Sequence, residues 1–256
     1  MRKRNVIIGL AGALALSVGV VGSAQAAGTL TGQTLQATAS AGKLDKKVPG
    51  AVNSLTVVVN TQYNGTTPPF TRKVTNTRVD FPKDFVFTPP KAKCDPNTPG
   101  FGTSTTEAAK AACGPAQVGT GSANLAGAVA GVTAVVTAFN GTTSGGNPTI
   151  LLHSRTTAGT TAVLIGTLEP GAGGTYGKQL NVTVPILSGG LFVITRFSTT
   201  IPKRQTVKAN KKKGKPAKFY VGAKCSTKKW TFRARSTADT GQAVTTPVVT
   251  LPCRQK

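Results

Sequence analysis

Acids, histidine and aromatics are what this sequence has least of. Its 256 residues hold seven Asp plus Glu, a single His and 5% aromatic side chains. That leaves little material for hydrolytic metal sites or for paired acid–base catalysts. No C-x-x-C spacing is present for a four-Cys zinc site. No G-x-S-x-G elbow is present for an esterase-like nucleophile. Charged heptads are missing, which excludes a coiled coil, and the 30 Gly lack the triplet period of collagen. Beyond the first segment, no apolar stretch reaches the length that spans a bilayer.

What is there is basic and β-patterned. Lys plus Arg number 31, the formal net charge is +24, and 39% of residues are hydrophobic. Only 15% are charged, so the basic excess reflects a shortage of acids. Short apolar runs recur along the chain, which excludes disorder throughout.

Arg2, Lys3 and Arg4 precede a largely apolar run from Val6 to Gly22, followed by Ser23-Ala24-Gln25-Ala26. A basic start, an apolar middle and small residues at an A-x-A site predict a signal peptide over residues 1–26, cleaved after Ala26. The mature chain is then expected to be secreted or associated with the cell surface, with no transmembrane segment left after cleavage. Removing the three basic residues of the leader leaves 28 − 7 = +21. All four cysteines, Cys94, Cys113, Cys225 and Cys253, lie in this exported part. An even number in an oxidising compartment reads as two disulfides. Three pairings are open, of which the local ones, Cys94–Cys113 and Cys225–Cys253, are favoured.

Residues 27–50 hold Gly, Thr, Ser, Ala and Lys with no sustained period and read as a flexible lead-in. From 51 to 256 the apolar residues tend to alternate. Leu55, Val57 and Val59 share one face, as do Val132, Ala134, Val136 and Ala138, ahead of an Asn140-Gly141 turn. Further runs cover 150–154, 162–168, 180–186, 191–201, 219–225 and 229–236. In the last, Trp230, Phe232 and Ala234 point inward while Lys229, Thr231, Arg233 and Arg235 point outward. Short strands spaced this way predict an all-β domain, an antiparallel β-sandwich or jelly roll. One short helix is expected near 105–113, with Thr105 as N-cap, Glu107 in the first turn and Gly114 as the stop.

Charge divides the chain more sharply than hydrophobicity does. Residues 27–200 carry 13 basic and 6 acidic side chains (+7), and residues 201–256 carry 15 and one (+14). A basic loop at 203–218 contains Lys203, Arg204, Lys208, Lys211, Lys212, Lys213, Lys215 and Lys218. The outward Lys229, Arg233 and Arg235 extend it into a candidate polyanion-binding surface. Export points away from intracellular nucleic acid. It points toward an anionic cell-envelope polymer such as wall teichoic acid, toward acidic polysaccharide, anionic lipid headgroups or extracellular DNA. No cofactor and no metal are expected.

The remaining chemistry-bearing residues read as structural. His153 is a lone imidazole on a strand, and Ser154 beside it points to the opposite face. Asp80, Asp84 and Asp95 lie in a Pro-rich stretch whose spacing does not match a calcium loop, and read as turn residues. One enzymatic alternative remains, a β-jelly-roll polysaccharide lyase acting on an acidic polysaccharide. His153, Arg155, Tyr176, Lys178 and Gln179 are the right residue types for it.

Asp80-Phe81-Pro82-Lys83-Asp84-Phe85-Val86-Phe87, then Cys94, Ala112-Cys113-Gly114-Pro115 and Val118-Gly119-Thr120-Gly121-Ser122-Ala123 form a composite motif. It resembles secreted β-rich proteins of high-GC Gram-positive bacteria. In those, a Phe-Pro-Lys strand leads to a Cys, a small helix, Ala-Cys-Pro and a Val-Gly-x-Gly-x-Ala strand. Here Gly114 intervenes before Pro115. The resemblance implies a Cys94–Cys113 bridge and a β-rich exported domain, and brings no activity with it. The sequence therefore predicts an exported structural or adhesive protein that is not an enzyme.

Overall fold

The computed structural model describes residues 29–65, 68–210, 212 and 214–256. The leader expected at 1–26, together with Lys211 and Lys213, lies outside the described residues. The strands are β1 (Thr29–Ala41), β2 (Gly50–Asn64), β3 (Val74–Pro82), β4 (Phe85–Phe87), β5 (Gln117–Gly127), β6 (Thr133–Asn140), β7 (Thr149–Thr156) and β8 (Thr161–Gly173). They continue with β9 (Tyr176–Thr183), β10 (Phe192–Pro202), β11 (Gln205–Val207), β12 (Lys218–Phe219), β13 (Val221–Ala223), β14 (Lys229–Ala238), β15 (Ala243–Thr245) and β16 (Val249–Pro252). Helix α1 (Thr106–Cys113) precedes β5.

Among the described residues fourteen strands form one sheet in the order β15-β14-β3-β9-β8-β7-β6-β5-β10-β2-β13-β4, with β1 on β2 and β16 on β14. Its ladders are antiparallel, and β5 to β9 run as a meander. The sheet curls until β1 comes alongside β14, where Gln33 Nε2 donates to Ser236 Oγ. Leu35 and Ala37 of β1 thereby share one buried cluster with Phe232 and Ala234 of β14. The all-β antiparallel architecture expected from the sequence is present. Its layers are halves of a single continuous sheet.

Several local expectations are corrected. Residues 29–41, expected within an irregular lead-in, form β1 and pair with β2 along their whole length. Their inward positions are Gln33, Leu35, Ala37 and Ala39, of which only Leu35 is large and apolar, so the alternation is a weak hydrophobic signal. Asn140-Gly141 is not a hairpin turn. Asn140 is buried in β6, where its side-chain amide donates to the Pro90 and Ala92 carbonyls at 3.2 and 2.7 Å. The reversal comes later, at the Ser144–Asn147 bridge. Gly114 does stop α1, as its C-cap. It stays right-handed (φ −49°) and leads through Pro115 into one 3₁₀ turn. Thr105 does cap α1, accepting from Ala108 N at 3.2 Å.

The glycines of the Val-Gly-x-Gly-x-Ala segment have a steric cause. A Cβ at Gly121 would stand 1.9 Å from the Ser198 carbonyl oxygen, so only Gly lets β5 approach β10 so closely.

The interior has an aromatic end and an aliphatic end. Phe85 packs edge-on against Trp230 and Phe232 at 5.0 and 5.4 Å, and Phe81 against Phe87 at 5.0 Å. Trp230 satisfies its indole N–H on the Lys224 carbonyl at 2.8 Å. Along β2 the interior wall is mostly Val, Leu and Ile, with Tyr63, Lys73 and Asp239 at the far end, and it bounds a cavity of about 210 Å³. A second, smaller core lies on the outer face of β6 and β7, under α1. Phe101, Ala109, Phe139 and Leu151 pack there around the Cys94–Cys113 disulfide. The other disulfide joins Cys225 and Cys253. Both local pairings are thus present.

Candidate polyanion-binding surface

The stretch 203–218 is not a simple loop. β11 and β12 pair as a separate two-stranded ribbon, and an Asn210–Lys215 bridge narrows its tip. The ribbon is anchored where it leaves the sheet, by Lys203 N to the Asn53 carbonyl (2.7 Å) and Tyr220 N to the Arg204 carbonyl (2.8 Å). Lys203, Lys208, Lys212, Lys215 and Lys218 are exposed along it. Lys203 Nζ rests 5.5 Å from the Phe219 ring centroid, which steadies one cation without neutralising it. Among the described residues the one ion pair is Arg233–Asp80, so none of these lysines is paired with an acid.

Two predicted members of the surface are occupied elsewhere. Arg204 donates to the Gln117 carbonyl and, at 2.6 Å, to the Pro115 carbonyl. It pins the ribbon's base to the turn after α1. Arg233 donates twice to Asp80 Oδ2, at 2.9 and 2.6 Å, and its guanidinium lies 4.8 Å from the Tyr176 ring centroid. The pair continues as a polar ladder across the outer face, because Asp80 sits opposite Gln179, whose amide donates to Glu169 at 2.7 Å. Arg235 remains exposed on β14, opposite Arg78. Lys229 is exposed at the start of that strand.

Folding adds cations that the linear reading left out. Leu44 N donates to the Arg254 carbonyl and Lys256 N to the Leu44 carbonyl, at 2.8 and 2.9 Å. Cys253 N donates to the Lys228 carbonyl at 2.9 Å, and Cys225 N to the Asp45 carbonyl at 3.1 Å. These bonds bring exposed Lys43, Lys46 and Lys47 beside exposed Lys228, Lys229, Arg254 and Lys256, around the Cys225–Cys253 bridge. The acid among them, Asp45, accepts from Lys47 N and Val48 N at 2.6 and 2.9 Å, which holds its carboxyl below the usual range. The cluster and the ribbon both lie at the start of β2, since Gly50 and Ala51 pair with β13 and Asn53 anchors Lys203.

The residues of the enzymatic alternative are not brought together. His153 is fully buried beneath the 101–104 segment, 3.1 Å from Ser104 Oγ and 5.2 Å from the Phe101 ring. Burial lowers its pKa. Arg155 binds Thr161 Oγ1 at 2.9 Å. Tyr176 is paired to Gly173 and Arg155 to Thr161, at opposite ends of β8, roughly 40 Å apart at ~3.3 Å per residue. Ser154 faces away from His153 and bonds the Leu152 carbonyl. Asp84 accepts from Ser226 N and Oγ at 2.7 and 2.8 Å, and Asp95 accepts from Asn97 N at 2.9 Å. Asp95 thus serves its local turn as expected, whereas Asp84 ties the turn between β3 and β4 to a segment 142 residues away, and Asp80 lies within β3 and pairs with Arg233 rather than shaping a turn.

No protein-family model, no characterised protein and no solved structure matches the chain.

Proposed function

We propose that this is an exported, non-catalytic structural or adhesive β protein that contacts anionic cell-envelope polymers through its basic end. One observation supports the reading most: the ribbon lysines are exposed, close together and without acidic partners, beside a second cationic cluster assembled from distant parts of the chain. Such a surface raises the local concentration of polyanions and is screened by salt, because exposed charges interact over about 8–10 Å at ordinary ionic strength. Wall teichoic acid or an acidic polysaccharide offers a repeating anion to match it. Arg204 and Arg233 hold the surface in place rather than touching the ligand.

The test is retention on immobilised teichoic acid across a salt series. A variant with Lys203, Lys208, Lys212, Lys215 and Lys218 changed to Gln should elute at markedly lower salt, and its salt dependence should flatten. Retention unchanged at both low and high salt overturns the reading.

A further inference from the structure

The interior cavity is a slot running along β2. Leu55, Phe87, Ile201 and Tyr220 line one end, and Tyr63, Lys73, Asp239 and Ile186 the other. The span from Leu55 to Tyr63 is roughly 26 Å at ~3.3 Å per residue. Leu152, Leu164, Leu180 and Val182 line its middle. At about 210 Å³ it exceeds the ~150 Å³ engineered apolar cavity that stays dry and takes up benzene. Its length suits one extended aliphatic chain better than a ring.

An independent observation also points to a ligand. Tyr220 is 1% exposed, and its hydroxyl has no hydrogen-bond partner among the described residues. A buried donor left unmade is costly, and an oxygen delivered by a ligand would satisfy it. Burial pushes the phenol well above its usual range, so it stays protonated and donates. The nearest cation acting on it is Arg204, whose guanidinium already serves two carbonyls. The deep end therefore offers a neutral donor and no free positive charge, which selects an uncharged oxygen over a carboxylate.

Entry is at the other end. The 184–192 connection closes the mouth, with Ile186 70% and Leu191 48% exposed. Its backbone is left-handed at Ser188 (φ 45°), Gly189 (66°) and Gly190 (90°), a run that two glycines make accessible. The same connection walls a second cavity of about 300 Å³, into which the tail of a long chain can extend.

We propose that the slot binds one uncharged single-chain lipid bearing a hydroxyl or carbonyl oxygen, oxygen inward on Tyr220 and chain toward the 184–192 mouth. The deep end of the slot lies beneath the base of the ribbon, which Tyr220 anchors, but none of the ribbon lysines lines it, and the proposal stands whether or not that surface binds polyanions.

The test is calorimetric titration of the purified protein with 1-decanol and with decanoate. We expect one-to-one binding of 1-decanol and at least tenfold weaker binding of decanoate. Y220F should weaken 1-decanol about tenfold, the worth of one hydrogen bond. It should also raise the melting temperature of the ligand-free protein, because an unsatisfied buried hydroxyl is gone. Those two effects have opposite signs, and a merely structural hydroxyl would lower both. Absence of 1-decanol binding, unchanged affinity in Y220F, or a lower melting temperature in that variant overturns the proposal. Decanoate binding as tightly as 1-decanol, with K73Q abolishing it, overturns it too, by placing the polar end at the mouth.

Discussion

The two cores of this protein solve the same problem with different means. The main interior draws on strands from β1 to β14 and bounds a slot of about 210 Å³. The satellite core under α1 is a handful of residues, closed by a disulfide, and buries the one imidazole of the chain. A large core can carry a void along β2 because the dense packing of Phe85, Trp230 and Phe232, which do not line it, supplies stability. A small core buries too little apolar surface for that, and a covalent tie makes up the difference. Stability and vacancy are thus divided within the main interior, while the satellite has neither to spare.

The largest effect should come from the aromatic end. Phe232 is fully buried and packs against Phe81 and Phe85. F232A should cost about 3–5 kcal/mol by chemical denaturation. Leu152, which borders the slot, should cost less on truncation, about 2 kcal/mol, because part of its surroundings is already empty. Equal losses at the two positions would erase the division between a packed end and a hollow one.

The satellite core should respond next. Removing both Cys94 and Cys113 opens a 19-residue separation, worth about 3 kcal/mol on the chain-entropy account. Hydrogen exchange should quicken first in α1 and in the 94–104 segment, with β14 following only in global unfolding. Uniform acceleration across both regions would show that they unfold as one unit.

How much of this was legible in the sequence follows from how local each feature is. The alternation of Trp230, Phe232 and Ala234 against Lys229, Arg233 and Arg235 reads directly, since a strand face is set by period two. Both disulfides and the Thr105 cap are short-range and were equally readable. β1 was not, because Ala and Thr at alternate positions barely register as hydrophobic. At the basic end, exposure of the ribbon lysines was legible from their density between 203 and 218. The structural roles of Arg204 and Arg233 were hidden, because the Gln117 carbonyl and Asp80 lie 87 and 153 residues away. Lys43, Lys46 and Lys47 join that end only through backbone bonds to the C-terminal residues. The slot was invisible for another reason: a void is a mismatch between shapes and has no residue of its own.

The smallest effect is the subtlest distinction between the cores, their response to acid. Ser104 Oγ donates to the Phe101 carbonyl at 2.9 Å, so the neutral His153 ring places its proton on Nε2, toward Ser104. Nδ1 has no partner among the described residues. Burial, as the main cause, together with nearby Arg155, lowers the imidazole pKa from its ordinary 6.5. As pH falls, the unfolded chain therefore takes up the proton before the folded one does. The neutral ring's contribution is complete above about pH 6.5, shrinks as pH drops below it, and levels off below the lowered folded value. The satellite core should loosen in mild acid, read as faster exchange in the 94–113 segment at pH 5 than at pH 7 after correction for intrinsic rates. H153F keeps the contact with Phe101 and should abolish that difference, leaving the main interior unchanged. An acid response of the 94–113 segment that persists in H153F would overturn the assignment to His153.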